Sequence, residues 1–534
     1  MKKGRKIALI ITTAAVVIGA AAVGVAYTRY GGEIDVTAHG IIADNPDAAD
    51  KNLKKLNKML LLSRKGTVLK FPEGKYYISA NFSGGLQLIK KKGITLRGIG
   101  EATLVNTSYT PYATAKELSY SNSNMINIVK SKNIVIEGLG FDYREITSAS
   151  GVITDNGNGT TEITVYDQYA DMQTGGFAVC LNFFDQSGAP TKEVWLPEDT
   201  VLYKKQNAEK VFVLPGEYGE IGQKACVRFT CWSNTSATVN INDTKNLTMR
   251  DLRIFSTPSA CIFGGGEQEN YCFDGIKVLS PGNSKALVCA NGDGIHIAGL
   301  RGKLDMKNCV FSGMGDDALN IHVSAPTVKA INENRLTLVY NFDGESNADN
   351  FAKKGDLIEL FDNYGNKLGE SKVFLANGNV YTFDKIPEGT GEGAILNNIS
   401  RQPETLVENC TVENGRARGI LLQCKNATVK NCTFKNLRLP GILAAPDISE
   451  WHEMGPCENL LVRNCKFDNC CTDTDRKQWG AVTVTVGHSR VSYDAPVIHG
   501  KITVKDCAFS PAGKQVAVYG AKEIVEDNNV TLIK

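Results

Sequence analysis

The sequence predicts an all-β chain, a right-handed parallel β-helix (solenoid) carrying two inserted small antiparallel β-barrel domains. Three observations carry this. First, "KLDMKNCVF" from 303, "TLVENCTV" from 405, "ATVKNCTF" from 427, "LLVRNCKF" from 460 and "KITVKDCAF" from 501 share one pattern. Apolar and polar residues alternate, then comes Asn or Asp, then Cys, then often Phe. Second, Cys410 and Cys432 lie 22 residues apart, a period suited to a solenoid whose turns contribute equivalent strands. Third, two stretches alternate at period two between Gly and Pro turns without the Asn-Cys signature, which marks antiparallel insertions.

Residues 1–30 form a leader. Lys2, Lys3, Arg5 and Lys6 precede an uncharged apolar stretch from Ile7 to Tyr27, which reads as an export signal or a membrane-spanning anchor. Ala20 to Ala22 and Ala26 offer small-residue cleavage sites. Either way the chain is expected to be exported, extracellular or held at the cell surface by residues 7–27. Residues 31–147 begin the β-helix: a strand, an amphipathic helix from about Asp47 to Leu62 that caps the exposed end of the core, and a strand after the turn Pro72, Glu73, Gly74. "NIVIEGLGF" from 133 is a rung without the cysteine, as is "NLTMRDLRI" from 246.

The first insert spans 148–240, with "GNGTTEITVYD" and "EKVFVLPGEYGEIGQKACVRFTCW"; the second spans 326–397, with "NRLTLVYNF" and "GDLIELFDNYGNKLG". Rungs fill 241–325 and 398–534. The chain has fifteen cysteines. Cys309, Cys410, Cys432, Cys465 and Cys507 read as stacked small interior residues at a turn rather than as disulfides, and no CxxC pair has zinc spacing. The 59 basic and 57 acidic residues leave a net charge of +2, so nothing favours a nucleic-acid partner. Nothing in the sequence selects an oligomeric state.

Chemistry concentrates between the inserts. "NGDGIH" from 291 holds Asp293, and "GMGDDALNIH" from 313 holds Asp316 and Asp317, with Asp316 lying 23 residues after Asp293. One coil separates them, and adjacent rungs sit about 4.8 Å apart, so three carboxylates are expected to converge. Mutual repulsion then keeps at least one protonated near neutral pH. That split supplies an acid and a base, as glycosidic hydrolysis requires. Gly292, Gly294, Gly313 and Gly315 flank the acids and would open the backbone to a bulky ligand. An acidic cluster can equally bind Ca²⁺, as in solenoid polysaccharide lyases.

Other residues extend the candidate site. His296 and His322 occupy corresponding places after the two acid motifs, ready to hydrogen-bond sugar hydroxyls or orient carboxylates, or simply to stack in a strand. Asn320 alternates with His322 and shares its face. Arg416 and Arg418 sit in a turn before "GILL", where they can bind hydroxyls or balance the acids. In "DISEWHEMG" from 447, Trp451 could stack on a sugar while Asp447, Glu450 or Glu453 fixes its hydroxyls.

Asp293 followed 23 and 24 residues later by Asp316 and Asp317, on a β-helix with two inserted barrels, resembles glycoside hydrolase family 110, the exo-acting α-1,3-galactosidases. "NGRARGILLQ" from 414 and "PGILAAPDISEWHEMGP" from 440 also resemble that family. The resemblance implies removal of a terminal α-1,3-linked galactose from an oligosaccharide, glycoprotein or glycolipid, with inversion and with neither metal nor cofactor. It also implies Asp316 as general acid, with Asp293 and Asp317 holding and deprotonating the attacking water. Polygalacturonases carry a comparable acid triplet on the same fold, but the Gly-His-Gly and Arg-Ile-Lys of their pattern do not follow the acid pair here. A polygalacturonase-like hydrolase, a Ca²⁺-dependent lyase and a non-catalytic glycan-binding β-helix remain the alternatives.

Overall fold

A computed structural model describes residues 30–532 apart from 81–83, 112–123, 231–236, 283, 342–344, 448–449, 488–495 and 512. The leader lies outside the described residues. Among those described, no helix is long and apolar enough to cross a membrane.

The Asn-Cys signature has a local cause. Asn308, Asn409, Asn431, Asn464 and Asp506 all have φ between 54° and 56° or close to it, at 52° for Asn464, the left-handed conformation that Asn and Asp tolerate best among non-glycine residues. Each turns the chain from one strand into the next. The amides stack as the coils stack: Asn464 Nδ2 donates to Asn431 Oδ1 at 2.8 Å. The following cysteines are buried, and their thiols point back to the carbonyl two residues earlier, as from Cys432 to Lys430 at 3.2 Å and from Cys507 to Lys505 at 3.2 Å. All fourteen described cysteines are free thiols.

Repeating this turn winds the described residues into three parallel sheets of 12, 11 and 10 strands, with Glu453–Met454 added antiparallel to Leu319–Ser324 of the last. One coil is Arg301–Lys307, Val310–Ser312 and Leu319–Ser324. Leu304, Met306, Phe311, Leu319 and Ile321 from it enter a single core that runs through the solenoid. Because each sheet buries only its inner face, the strands alternate rather than reading as the continuous apolar runs of parallel sheets covered on both sides. At the amino-terminal end the helix Ala49–Leu62 lays Leu53, Leu56, Met59 and Leu60 over that core. Its buried Asn52 donates to the carbonyls of Ile42 and Tyr77 and accepts from the Ile42 amide, which ties cap to solenoid.

Two antiparallel sheets interrupt the coils. In the one running from Thr327–Asn332 to Ile395–Asn398, successive pairings join six strands into a ring, because Thr327–Asn332 pairs with both Arg335–Tyr340 and Ile395–Asn398. The one running from Ser148–Gly157 to Lys224–Arg228 has eight strands. Where the sequence suggested a closed barrel, its pairings among the described residues form an open path ending at Gly176–Phe177 and at Pro190–Trp195. The Pro190–Trp195 edge carries side chains to the solenoid instead of closing the ring.

Candidate active site

The acids lie where the chain enters one solenoid sheet. Ile295–Ala298, Leu319–Ser324, Ile420–Leu422 and Ile442–Ala444 run side by side there. Ile295 pairs with Leu319 and Leu319 with Ile420, so Asp293, Asp317 and Arg418, each two residues before its strand, stack as one ladder. This fixes the register: the coil is 24 residues long here, and Asp317, not Asp316, is the counterpart of Asp293. The Asp317 amide donates to Asp293 Oδ1 at 2.9 Å. Arg418 donates to Asp317 through its amide at 3.0 Å and through Nη2 at 2.6 Å.

The same register separates the histidines. His296 lies beside Asn320 and His322 beside Ala298, yet the rings meet on the diagonal, with Nε2 to Nε2 at 2.9 Å. Asp293 Oδ2 holds His296 Nδ1 at 2.6 Å. Beyond His322, Glu453 Oε1 stands 3.5 Å from Nε2, and Gln423 Nε2 donates to Glu453 Oε2 at 2.7 Å. A row therefore runs from Asp293 through His296 and His322 to Glu453.

The flanking glycines serve the solenoid rather than a ligand. A Cβ on Gly294 would come within 2.6 Å of the Ala318 carbonyl and of the Phe311 ring, and one on Gly315 within 2.5 Å of the Ala290 carbonyl. Gly292 and Gly313 are likewise crowded by neighbouring backbone. They let successive coils pack closely around the acids.

Asp316, the most exposed of the three acids, meets Arg416 Nη2 at 3.2 Å. Arg416 also donates from Nε to the Gly315 carbonyl and grips Glu193 through Nη1 at 2.9 and 2.8 Å. Arg438 joins from the next coil, at 3.0 Å from Glu193 and 2.8 Å from Asp473. Glu193 belongs to Pro190–Trp195 of the inserted sheet. Arg228, buried on that sheet, donates to the carbonyls of Asn291 at 3.0 Å and Gly315 at 3.1 Å, which fastens the insert to both acid turns. Glu193, Arg228, Arg438 and Gln423 were not visible in the sequence; no motif sets them apart.

Electrostatics follow from this packing. Burial pushes the Asp293 carboxyl up from its ordinary value, against the hydrogen bond with His296 and with the charge of Asp316 adding to the rise. Burial also lifts Asp317 well above its ordinary value, with Arg418 opposing and the neighbouring acids reinforcing it. For His296 burial disfavours the charged ring, yet the bond to Asp293 and the charges of Asp293, Glu453 and Asp317 prevail and raise its pKa. His322 is driven well below its ordinary value by burial and by His296. Of the two rings, His296 is therefore the one that takes a proton first, and a proton on its Nε2 would be donated to His322. The cluster as a whole retains protons that isolated carboxyls would lose.

Among the described residues, two groups bring ligand-capable atoms within 4.8 Å of one another: Asp293, Asp316 and Asp317, and His296, His322 and Glu453. Both are already bonded to protein partners, the acids to Arg416, Arg418 and His296. The remaining candidates lie on the loop after Ala444. Asp447 and Glu453 exchange backbone hydrogen bonds at 2.8 Å, and Asp447 Oδ1 accepts from the Glu450 amide at 2.9 Å, so Asp447 shapes the loop that presents Glu453. Glu450 is exposed and Trp451 is 37% exposed on that loop.

No protein-family model matches the chain. Sequence relatives are more informative. α-1,3-Galactosidase A of Bacteroides thetaiotaomicron is 22% identical over 451 residues, covering 80% of this chain and 74% of the relative. α-1,3-Galactosidase B of Phocaeicola vulgatus is 20% identical over 497 residues, covering 82% and 79%. These relatives support the resemblance to glycoside hydrolase family 110. A further relative, α-1,3-galactosidase B of Bacteroides thetaiotaomicron, is 22% identical over 286 residues, covering 51% of this chain and 44% of that relative. Among solved structures, the A-module of an Azotobacter vinelandii mannuronan C-5 epimerase is similar with a TM-score of 0.41 at 10% identity, covering 94% of this chain and 97% of that one. A Yersinia enterocolitica family 28 exopolygalacturonase gives 0.40 at 12% identity, covering 94% and 78%.

Proposed function

We propose that this protein is an exo-acting hydrolase that removes terminal α-1,3-linked galactose from oligosaccharides, glycoproteins or glycolipids, outside the cell or at its surface, with inversion at the anomeric carbon. The observation that carries the reading is the meeting of Asp293, Asp316 and Asp317 within 4.8 Å beside Arg416 and Arg418, in a chain whose relatives are named α-1,3-galactosidases.

Asp316 is the general acid. It is the most exposed of the three, with side-chain exposure of 17% against 10% for Asp293 and 1% for Asp317, and it borders the Arg416 network. It delivers a proton retained by the carboxyl cluster to the glycosidic oxygen as the bond from that oxygen to the galactose anomeric carbon breaks, which leaves the cluster able to take one back. Water held between Asp293 and Asp317 adds to that carbon and loses a proton to the pair. Asp293 carries the acquired proton within reach of His296 Nδ1 at 2.6 Å, and His296 contacts His322. Free galactose and the acceptor sugar leave, and one water is consumed.

Both oxygens of Asp293 and both of Asp317 already accept hydrogen bonds. That suits holding water better than bonding to carbon, and so supports inversion over a covalent intermediate. The oxygens approach within 4.8 Å, whereas inverting pairs usually stand about 6.5–9.5 Å apart and retaining pairs about 5–5.5 Å. Product stereochemistry is therefore the deciding test. Residues 31–534 are incubated with Galα1,3Gal and with its fucosylated branched counterpart while proton NMR follows the first galactose released. β-Galactose is expected. α-Galactose would overturn the roles of Asp293 and Asp317, and no release from either substrate would overturn the activity.

A further inference from the structure

We propose that the first inserted sheet builds the subsite for the acceptor sugar, with Trp195 as its stacking platform. This deepens the function proposed above and rests on it. A general acid must touch the oxygen that joins galactose to the acceptor, so the acceptor lies on the Asp316 side of the cluster.

That side is not made by the solenoid alone. Asp316 meets Arg416, and Arg416 is gripped by Glu193 of the edge strand Pro190–Trp195. Two residues on, and so on the same face of the strand, Trp195 places its ring 5.9 Å from the Arg416 guanidinium and 5.4 Å from that of Arg228. Arg228 in turn holds the Gly315 carbonyl next to Asp316. A single guanidinium thus separates the indole from the proposed acid. Glu193 is committed to Arg416 and Arg438, and both arginines to acids, which leaves Trp195 as the group here with uncommitted surface.

That surface is large: Trp195 is 48% exposed. An indole fixed over two cations, with nearly half its area open beside a carboxyl, suits the C–H face of a pyranose, since an electron-rich ring attracts polarised C–H groups as it attracts cations. Trp451 lies on a different segment, the loop that brings Glu453 to His322.

The test compares Trp195→Ala and Trp195→Phe with the wild type on two substrates, Galα1,3Gal and α-galactosyl fluoride, which has no acceptor sugar. For Trp195→Ala the kcat/KM for the disaccharide should fall about tenfold more than that for the fluoride, chiefly through KM, and Trp195→Phe should recover most of the difference. An equal fall on both substrates would mean that Trp195 only braces Arg416, and no fall on either would remove it from the site; each overturns the inference while the proposed function stands. Wild-type protein that hydrolyses neither substrate overturns the function and the inference together.

Discussion

Two ladders run along the same solenoid, and they differ in what is stacked. At one turn like sits on like: Phe434, Phe467 and Phe509 pile up with ring centroids 5.0 and 4.9 Å apart and planes within 8° of parallel, beside the column of cysteines. At another turn Asp293, Asp317 and Arg418 occupy equivalent positions as unlike residues. Stacking identical apolar groups stabilises a coil against its neighbours and does nothing else. Stacking two acids on an arginine costs desolvation that only partners such as His296 and Arg416 offset, and it gathers charge that hydrolysis can use. The same winding makes a wall in one place and a site in the other.

The sharpest way to break this comparison is to remove function without touching the wall. Asp316→Asn should lower kcat by roughly 10²- to 10⁴-fold, the usual worth of general acid catalysis, while Galα1,3Gal still binds by calorimetry and urea unfolding stays near wild type. Activity close to wild type would take the acid role away from Asp316. The converse is Phe467→Ala, which empties a position 1% exposed between two stacked rings. A loss of about 3–5 kcal/mol in unfolding free energy is expected, with the remaining folded protein turning over galactoside normally. A loss under about 1 kcal/mol would show that the ring column is not what holds the later coils together.

The contrast also explains what could be read from the sequence. A wall announces itself, because the turn needs Asn or Asp in a left-handed conformation and the core then takes Cys and Phe at each repeat. The acids were visible because they interrupt the repeat with charge where apolar residues are normal. The spacing places Asp293 one coil from the Asp316 and Asp317 pair but does not say which of the two is its counterpart, because this coil is 24 residues long where that of Cys410 and Cys432 is 22; a turn can absorb residues without changing the strands on either side. Arg416 and Arg418 were legible for the same reason as the acids. Glu193, Arg228 and Trp195 were not. They lie in a sheet whose alternation reports its own core, and no local pattern records that its edge faces residues more than 200 positions away, as Glu193 faces Arg416.

Histidines sharpen the comparison last and least. His296 and His322 bond to other side chains, whereas His499, in the wall, is fully buried and bonds only to backbone: it accepts from the Cys457 amide at 3.2 Å and donates from Nε2 to the Thr485 carbonyl at 2.9 Å. Burial pushes its pKa down from 6.5 to about 4, the Thr485 bond opposing. In the unfolded chain the ring takes a proton as pH falls through its ordinary value, while the folded chain takes none until about 4. The unfolded state therefore binds more protons in that window, and stability present above pH 6.5 is lost as pH falls toward 4, by about 3 kcal/mol. Replacing the ring by an amide, His499→Gln, removes this term. The variant should be less stable than wild type at pH 7, where a donor and an acceptor are misplaced, and the gap should close by up to about 3 kcal/mol by pH 4. Urea titrations of both proteins across that range measure it. A constant gap would mean that His499 takes its proton at the same pH in the folded and the unfolded chain, and that the wall, like the site, holds a charge its neighbours accommodate.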